Sequence, residues 1–298
     1  MRVLHLDSGK TMRGGQWQTL YLMVGQKTIG WDPLLLAPPG SPLYQEAMKR
    51  GVAVGPLTLW GVAKQSKNVA ITHAHDARSH TIAALAARGP FVVSRRVAFP
   101  LRTGWLSRWK YSKPRRFLAI SAYVARQLRD YGIPEERIGI VYDGVPVEPS
   151  SGAHGSSLVA PAWADPRKCA ALGAEAARLA GVPLVVSDNL QQDLSSARAL
   201  LYLSEMEGLG SAALLAMSCG VPVIASRVGG LPEIVQQDKT GLLVNNDVRE
   251  IATAIQRLMN DPRLAERLGE NGRKTVRDGF TLAHMALRTV HEYKQVLS

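Results

Sequence analysis

The residues best suited to chemistry lie between positions 204 and 233, where a carboxylate is followed by two glycine-containing loops. Glu207 comes first, Gly208 and Gly210 follow, and an apolar run of helical character begins at Ser211. Because glycine has no Cβ, its backbone can approach a ligand closely, and the first amides of a helix form an anion site. A second glycine pair, Gly229-Gly230, repeats the pattern. This spacing favours a ligand that carries both hydroxyl groups and phosphate.

The stretch from Ser204 to Glu233 resembles the donor-site signature of the retaining family-4 glycosyltransferases, which have the two-domain GT-B fold. The family pattern is Ser-x-x-Glu-Gly-Phe-Gly, a second Glu, Ala-Met-Ala-x-Gly-x-Pro-Val, an Ala-Ser pair and Gly-Gly-x-x-Glu, and nearly all of it is present. An ordinary buried turn between a strand and a helix would explain the glycines but not the order of the other residues. The resemblance implies transfer of a sugar from a nucleotide diphosphate sugar to an acceptor hydroxyl, with retention at the anomeric carbon, in cell-envelope or polysaccharide synthesis.

The resemblance also implies roles for individual residues of the second half. Glu207 would hold sugar hydroxyls, and the ammonium group of Lys168 would neutralise the donor diphosphate. Backbone amides would share that work as preorganised dipoles. Since lysine and helix amides supply the positive charge, the resemblance implies no metal and no cofactor other than the donor substrate. The donor-contacting residues predicted beside Glu207 and Lys168 are Gly208, Leu209, Gly210, Ser211, Gly229 and Gly230.

In the first half, His73 and His75 end an apolar strand, and alternation places both on one face. Ligands of doubly wound sheets bind at the carboxyl ends of strands. His75 resembles the histidine of the family's His-x-His loop, which approaches the sugar, and we predict it as a second catalytic residue. A zinc site and a structural histidine are the alternatives, and the sequence shows no third zinc ligand. Gly15 and Arg95 resemble family positions that face the substrate, although a plain tight turn explains Gly15 nearly as well.

Two departures from the family pattern favour an alternative function. The family's second Glu, which holds the ribose hydroxyls, falls on Leu215, and leucine cannot accept a hydrogen bond. Trp163 stands where the family has an arginine, and the second domain is shorter than the family's. The alternative is a catalytically impaired relative that serves as a binding or scaffold protein.

The net charge of +12 arises in the first half, because residues 1–149 hold 21 of the 36 Lys and Arg but only 9 of the 24 Asp and Glu. Trp105, Trp109 and Tyr111 are interleaved with a basic run. Such a run suits an anionic membrane surface, single-stranded nucleic acid, an acidic acceptor or simply solvent. Nucleic acid is not expected, because no recognition motif accompanies the charge. The resemblance favours a sugar or lipid-linked acceptor. We also expect residues 95–116 to bind an anionic membrane surface. The basic residues of this segment are Arg95, Arg96, Arg102, Arg108, Lys110, Lys113, Arg115 and Arg116.

Strands alternate with helices along the whole chain, which predicts the α/β class with two Rossmann-like domains facing a cleft (GT-B type). Residues 146–156 are rich in Pro, Gly and Ser and predict a linker. We expect an N-terminal acceptor-side domain over 1–148 and a short nucleotide-sugar-binding domain over 157–280. By resemblance, a C-terminal helix over 281–298 packs back on the first domain. Residues 240–244 are expected to form a hairpin-like or edge segment.

The composition indicates the cellular compartment in which the protein is expected. No apolar run approaches the roughly 20 residues that a membrane span needs, and the N-terminus has the pattern of a short strand instead of a secretion signal. The two cysteines, Cys169 and Cys219, have no metal-binding or disulfide spacing. These features predict a cytoplasmic protein, with peripheral binding at the inner membrane face.

Overall fold

The computed structural model of the chain describes residues 1–101, 103–147, 155–162 and 165–298. Arg102, Trp163 and most of the predicted linker lie outside the described residues. The chain divides into two compact units, which we call unit 1 (Met1–Gly144 and Leu282–Ser298) and unit 2 (Val145–Thr281). The first boundary therefore falls ahead of the predicted linker. Val145 belongs to unit 2 because its amide donates to the carbonyl of Phe280 and it forms a β-bridge with Thr281.

The strands and helices alternate in chain order through both units. The strands are β1 (Arg2–Leu6), β2 (Asp32–Ala37), β3 (Ala53–Pro56), β4 (Ile71–Ala74), β5 (Phe91–Arg95), β6 (Arg116–Ala119), β7 (Ile138–Ile140), β8 (Ser157–Pro161), β9 (Leu184–Ser187), β10 (Ala197–Tyr202), β11 (Val223–Ser226) and β12 (Gly241–Val244). The helices are α1 (Gly14–Thr28), α2 (Pro42–Lys49), α3 (Leu59–Gln65), α4 (Ala77–Ala86), α5 (Trp105–Ser112), α6 (Ala122–Asp130), α7 (Ala170–Ala180), α8 (Leu190–Asp193), α9 (Ser211–Ser218), α10 (Val248–Asn260), α11 (Pro262–Gly279) and α12 (Leu282–Leu297).

Unit 1 is built on a parallel sheet of seven strands in the order β3-β2-β1-β4-β5-β6-β7. Its central strands are buried on both faces, which explains why β1 and β2 are almost continuously apolar. The strand order reverses at β1, which pairs with β2 on one side and β4 on the other. A reversal of this kind creates a crevice at the carboxyl ends of the strands, where open α/β sheets bind ligands.

The C-terminal helix α12 completes the core of unit 1. Tyr293 is fully buried in a cluster that includes Trp31 from the segment before β2 and Leu118 from β6. α12 also approaches α1 closely, since a Cβ at Gly25 would lie 2.7 Å from the carbonyl oxygen of Leu282. Unit 1 is therefore assembled from the two ends of the described chain.

Unit 2 contains a parallel sheet of five strands in the order β12-β11-β10-β8-β9. Its core lies between the sheet and the helices α7, α10 and α11, and it is formed by aliphatic side chains such as Leu201, Ile224 and Ile255. The segment expected to be hairpin-like or an edge is the parallel edge strand β12, because it pairs in register with β11. Across the helices that the structure describes, none combines the length and the apolar character needed to cross a membrane.

Candidate functional site

The carboxylate loop of unit 2 joins the end of β10 to the start of α9. Gly210 precedes the helix with φ at 106°, a left-handed conformation that favours glycine, and a Cβ there would lie 2.6 Å from Leu231 Cδ2. The helix begins at Ser211, as the sequence predicts, so the amides of its first turn have no intrahelical acceptor. Leu209 is fully buried, so its side chain belongs to the core of unit 2. The structure thus brings the predicted residues 208–211 together at one helix N-terminus.

The glycine pair of the second loop packs directly on the carboxylate loop. The Gly230 amide donates to the Glu207 carbonyl at 3.1 Å. A Cβ at Gly229 would lie 1.9 Å from the Glu207 carbonyl oxygen, and a Cβ at Gly230 would lie 2.1 Å from that of Gly208. The contact between two backbones therefore explains both glycines, and it also fixes the position of Glu207.

The side chains of Glu207 and Lys168, which are far apart in sequence, form an ion pair in unit 2. One Glu207 oxygen also accepts a hydrogen bond from the Tyr202 hydroxyl at 2.9 Å, and the other accepts from the Gly208 amide at 3.0 Å. The Lys168 ammonium lies 5.4 Å from the centre of the Tyr202 ring. Both ends of the ion pair are mostly buried, with side-chain exposures of 20% for Lys168 and 15% for Glu207. A carboxylate, which can accept hydrogen bonds from hydroxyls, and an ammonium, which can bind phosphate, thus lie together beside the N-terminus of α9.

A polar network holds the ends of β10 and β11 together behind this ion pair. The Ser204 amide donates to Ser226 Oγ at 2.9 Å, Ser226 Oγ donates to Asn246 Oδ1 at 2.5 Å, and Asn246 Nδ2 donates to the Ser204 carbonyl at 3.0 Å. The sequence analysis missed Tyr202 and Asn246. For Tyr202 a signal existed, because it is the last residue of an apolar strand directly before the carboxylate loop. No signal indicated Asn246, which meets Ser204 only in the folded sheet.

The position of the family's second Glu is occupied by Leu215, which lies partly exposed on α9. Its side chain offers no hydrogen-bonding group at this point of the helix. Any contact with a ribose hydroxyl must therefore come from another residue.

In unit 1, three histidine rings cluster at the carboxyl ends of β1 and β4. The ring centres of His73 and His75 are 4.0 Å apart, and His5 Nδ1 lies 2.8 Å from His75 Nε2. His73 and His75 were predicted, whereas the sequence showed no third zinc ligand, and the structure supplies His5 as one. The missed signal is His5, which lies on β1 in register with His73 on β4. One ring nitrogen from each of the three residues can be chosen so that the three atoms lie within 4.8 Å of one another, which is close enough for a shared metal ion.

Hydrogen bonds occupy five of the six ring nitrogens of this cluster. His5 Nε2 bonds to Gln26 Oε1 at 2.8 Å, while His73 Nδ1 bonds to the Tyr293 hydroxyl at 2.6 Å and His73 Nε2 bonds to Ser94 Oγ at 2.8 Å. Burial lowers the pKa of His5 to about 4 and lowers the pKa of His73 and of His75 well below the ordinary value. All three rings are therefore neutral at pH 7. His75 Nδ1 is buried and has no hydrogen-bond partner within the described ranges.

Two aspartates hold the loop between β1 and α1. Asp7 accepts hydrogen bonds from the Gly9 amide and from Thr19 Oγ1, and burial raises its pKa. Asp76 caps α4 and also accepts from the Ser8 amide and hydroxyl. The carboxyl end of the unit 1 sheet is therefore rich in polar groups.

The structure places the two remaining predicted residues at the same end of the unit 1 sheet. Gly15 lies in the first turn of α1, and a Cβ there would meet no atom of the described residues within 4 Å, so packing among them does not require glycine. Arg95 ends β5 and donates to the carbonyl of Phe99 at 2.5 Å, and burial lowers its pKa. The neighbouring Arg96 forms a buried ion pair with Asp143.

The basic and aromatic segment of unit 1 contains helix α5, which has no buried side chain. Trp105 is 78% exposed and Leu106 is 60% exposed. The Lys110 ammonium donates to the Ala77 carbonyl at 2.7 Å, which ties the helix to the start of α4. α5 therefore presents apolar and cationic groups together.

Two family models match the chain, and together they cover most of it. Residues 14–149 match "Glycosyltransferase Family 4", and residues 165–275 match "Glycosyl transferases group 1".

Three curated relatives illustrate the similarity. The alpha-maltose-1-phosphate synthase of Mycolicibacterium smegmatis is 35% identical over 120 residues (38% of this chain, 31% of the relative). The N-acetyl-alpha-D-glucosaminyl L-malate synthase of Bacillus anthracis is 39% identical over 94 residues (31% and 25%). The GDP-mannose-dependent alpha-(1-6)-phosphatidylinositol monomannoside mannosyltransferase of Mycolicibacterium smegmatis is 47% identical over 77 residues (26% and 20%). The matches thus span a third or less of the length of these curated relatives.

Solved structures match over nearly the whole chain. Anabaena Alr3699/HepE in complex with UDP-glucose has a TM-score of 0.85 at 15% identity, with 99% of each chain covered. The sucrose-phosphate synthase of Thermosynechococcus elongatus has a TM-score of 0.76 at 20% identity, covering 99% of this chain and 98% of its own. These likenesses confirm the predicted α/β fold with two Rossmann-like domains of the GT-B type. The chain belongs to the glycosyltransferases that the two family models describe.

Proposed function

We propose that this chain transfers a sugar from a nucleotide diphosphate sugar to an acceptor hydroxyl, with retention at the anomeric carbon. The observation that carries the proposal is the ion pair of Glu207 and Lys168 beside the N-terminus of α9. Within the described part of unit 2, this place offers a carboxylate for hydroxyls, an ammonium for phosphate and the free amides of a helix start.

The chemistry of the donor site follows from these groups. As the bond between the anomeric carbon and the diphosphate breaks, negative charge grows on the leaving group. The Lys168 ammonium and the amides of Leu209, Gly210 and Ser211 stabilise that charge, and they are held in place before the reaction begins. Glu207 accepts hydrogen bonds from sugar hydroxyls. Because its two oxygens already bind Lys168, Tyr202 and the Gly208 amide, Glu207 has a fixed orientation.

The proposal requires no metal ion and no further cofactor. The positive charge that a metal would bring to the diphosphate comes from Lys168, from the amides at the N-terminus of α9 and from the loop at Gly229. Gly230 contributes by holding that loop against Glu207, because its amide already donates to the Glu207 carbonyl. In unit 1, the proposal assigns sugar contact to His75, close backbone approach to Gly15, and phosphate or acceptor binding to Arg95. In unit 2, it assigns close backbone approach to Gly208.

We propose that the acceptor is a sugar or a lipid-linked molecule and that α5 binds an anionic membrane surface. Exposed tryptophan and leucine side chains beside Arg108, Lys110 and Lys113 have the composition of an interfacial helix. One relative is named for mannose transfer to a phosphatidylinositol monomannoside, which is a lipid acceptor. The proposed setting is the cytoplasmic face of a membrane, in cell-envelope or polysaccharide synthesis.

A nucleotide panel tests the proposal. Thermal unfolding is followed with UDP, GDP and ADP and with the corresponding nucleotide sugars, each at about 100 times its Kd, where a ligand of the folded state contributes about 2.7 kcal/mol. We expect a stabilising shift with one nucleotide and its sugar. Lys168→Ala and Glu207→Gln are each expected to remove that shift and the turnover that accompanies it.

Matched controls separate the site from a general loss of charge. Lys239→Ala and Glu266→Gln change exposed residues of the same types in unit 2 and are expected to leave the shift intact. If no nucleotide stabilises the wild-type protein, the donor site is absent and the scaffold alternative is correct. A shift that survives in both site variants would mean that the nucleotide binds elsewhere.

A further inference from the structure

A chain of hydrogen bonds in unit 1 connects the helices α1 and α12 to His75. Gln26 Nε2 donates to the Tyr293 hydroxyl oxygen at 3.3 Å, and Gln26 Oε1 lies 2.8 Å from His5 Nε2. His5 Nδ1 lies 2.8 Å from His75 Nε2. Every member of this chain is fully or almost fully buried.

The position of each proton follows from these contacts. Gln26 Oε1 can only accept, so His5 Nε2 carries the proton and donates it. His5 is neutral, because burial lowers its pKa to about 4, so its Nδ1 has a lone pair and accepts from His75 Nε2. His75 is also neutral, and its proton is therefore on Nε2. Its Nδ1 is left as a lone-pair nitrogen.

The branch through His73 agrees with this assignment. The Tyr293 oxygen accepts from Gln26, so its single proton is available for His73 Nδ1 at 2.6 Å. His73 then carries its own proton on Nε2 and donates to Ser94 Oγ at 2.8 Å. In this assignment each proton of the hydrogen-bonded chain has one acceptor, and no ring nitrogen both donates and accepts a hydrogen bond.

We infer that His5 and Gln26 are positioning residues that hold His75 as the tautomer with a lone pair on Nδ1, so that His75 accepts a hydrogen bond from a hydroxyl group of the sugar substrate. The buried and unpartnered Nδ1 is the observation that requires a donor from outside the chain's described residues. The inference rests on the proposed function for the identity of that donor. It assigns to His75 the role of an acceptor and excludes the role of a proton donor to the ligand.

Nitrogen-15 NMR of the ligand-free, full-length protein tests the tautomer directly. With 15N-labelled histidine at pH 7, His75 is expected to show a pyridine-like Nδ1 and a pyrrole-like Nε2. Gln26→Met removes the acceptor that fixes His5 and is expected to let His75 populate both tautomers. His5→Asn retains an acceptor oxygen near the position of Nδ1 and is expected to keep the wild-type pattern at His75. A protonated Nδ1 in the wild type, or an unchanged pattern in Gln26→Met, overturns the inference.

Ligand affinity supplies a second readout that a merely structural role would not change. UDP-glucose and GDP-mannose are compared with UDP and GDP. Gln26→Met is expected to weaken binding of the cognate nucleotide sugar by about threefold to tenfold, the loss of one hydrogen bond, and to leave binding of the nucleotide alone within about twofold. Thr289→Val removes another buried hydroxyl of unit 1 and is the folding control, expected to change neither value. If Gln26→Met lost the same factor of affinity for the nucleotide sugar and for the nucleotide alone, the role assigned to His75 would be contradicted.

The two proposals fail in different ways. If the wild type binds no nucleotide sugar, the proposed function is wrong, and the spectra of the ligand-free protein still decide the tautomer. If the wild type binds a nucleotide sugar but its His75 is protonated on Nδ1, only the inference about His5 and Gln26 is wrong.

Discussion

Single residues of the site differ in whether the sequence could reveal them. Glu207 and Lys168 were predictable because they belong to a motif whose order is read along the chain. Asn246 and His5 were not, because each meets its partner only after segments that are distant in sequence lie side by side. Tyr202 could have been predicted, since it ends β10 only five residues before its partner Glu207. Sequence spacing therefore predicted the charged ends of the ion pair and not the neutral groups that orient it.

Gly230 and Gly15 provide a matched test of why glycine occurs at each position. A Cβ at Gly230 would lie 2.1 Å from the backbone oxygen of Gly208, and backbone cannot move aside as a flexible side chain can. We expect Gly230→Ala to destabilise the protein by about 2 kcal/mol or more, the range for overpacking, and to abolish nucleotide binding. Urea unfolding and the nucleotide panel measure the two effects.

Gly15→Ala is the control, because a Cβ at Gly15 would meet no atom within 4 Å in the part of the chain that the structure describes, and the residue is helical. Its expected effect on stability is neutral or stabilising by about 0.4–1 kcal/mol. If turnover nevertheless falls in Gly15→Ala, the substrate approaches this backbone, as the resemblance implies. Destabilisation of both variants by the same amount would contradict the steric argument for Gly230.

The elements were predictable to different degrees. The start of α9 at Ser211 followed from the glycine loop and the apolar run, and it is confirmed. The pairing of β12 was left open between a hairpin and an edge strand, because a four-residue apolar strand gives no information about its partner. The exposure of α5 could not be read from its composition, since tryptophan is buried in most helices and is exposed here.

The proposed membrane role of α5 predicts a loss of binding when its charge is reversed. The triple variant Arg108→Glu, Lys113→Glu and Arg115→Glu changes three exposed residues, of which Arg108 lies on α5 and the other two in the segment directly after it. Since each basic residue near an anionic surface contributes about 1 kcal/mol, binding to vesicles that contain phosphatidylserine is expected to weaken by about a hundredfold. Flotation with vesicles of this composition and with neutral vesicles measures the change.

A control with the same change in net charge replaces exposed basic residues of unit 2, as Lys239→Glu, Arg249→Glu and Arg263→Glu. It is expected to lose much less binding than the α5 variant. Equal losses would show that the overall charge of the protein, and not α5, attracts the membrane.

At the scale of the whole molecule, the division into two α/β units followed from the alternation of strands and helices. The order of the strands within each sheet could not be predicted in this way, because the sequence pattern does not show which strands pair with each other. The buried histidines of unit 1 have a further consequence for the whole molecule, since they must stay neutral for the unit to remain folded.

His80 provides a test of this pH dependence. Burial lowers its pKa to about 3, and its Nε2 bonds to the carbonyl of Lys110 at 3.1 Å. Because the unfolded chain has the ordinary pKa of 6.5, it binds more protons than the folded chain below that pH. The stabilisation is therefore complete above pH 6.5 and is lost as the pH falls toward 3.

His80→Gln keeps a donor near the Nε2 position and removes the titration. Between pH 7 and pH 5, the free energy of unfolding of unit 1 in the wild type is expected to fall by about 2 kcal/mol more than in His80→Gln. Urea unfolding at the two pH values gives the comparison. A parallel fall in both proteins would mean that His80 is protonated in the folded state.

The burial of Tyr293 in unit 1 sets the order in which the molecule can mature on the ribosome. Unit 2 is continuous in sequence and can fold as soon as residue 281 has emerged. Unit 1 is synthesised first but must wait, because the cluster around Trp31 and Leu118 is closed only by the last helix. Until α12 has emerged, unit 1 is therefore an incomplete nascent-chain intermediate whose apolar surface is partly exposed and open to chaperones.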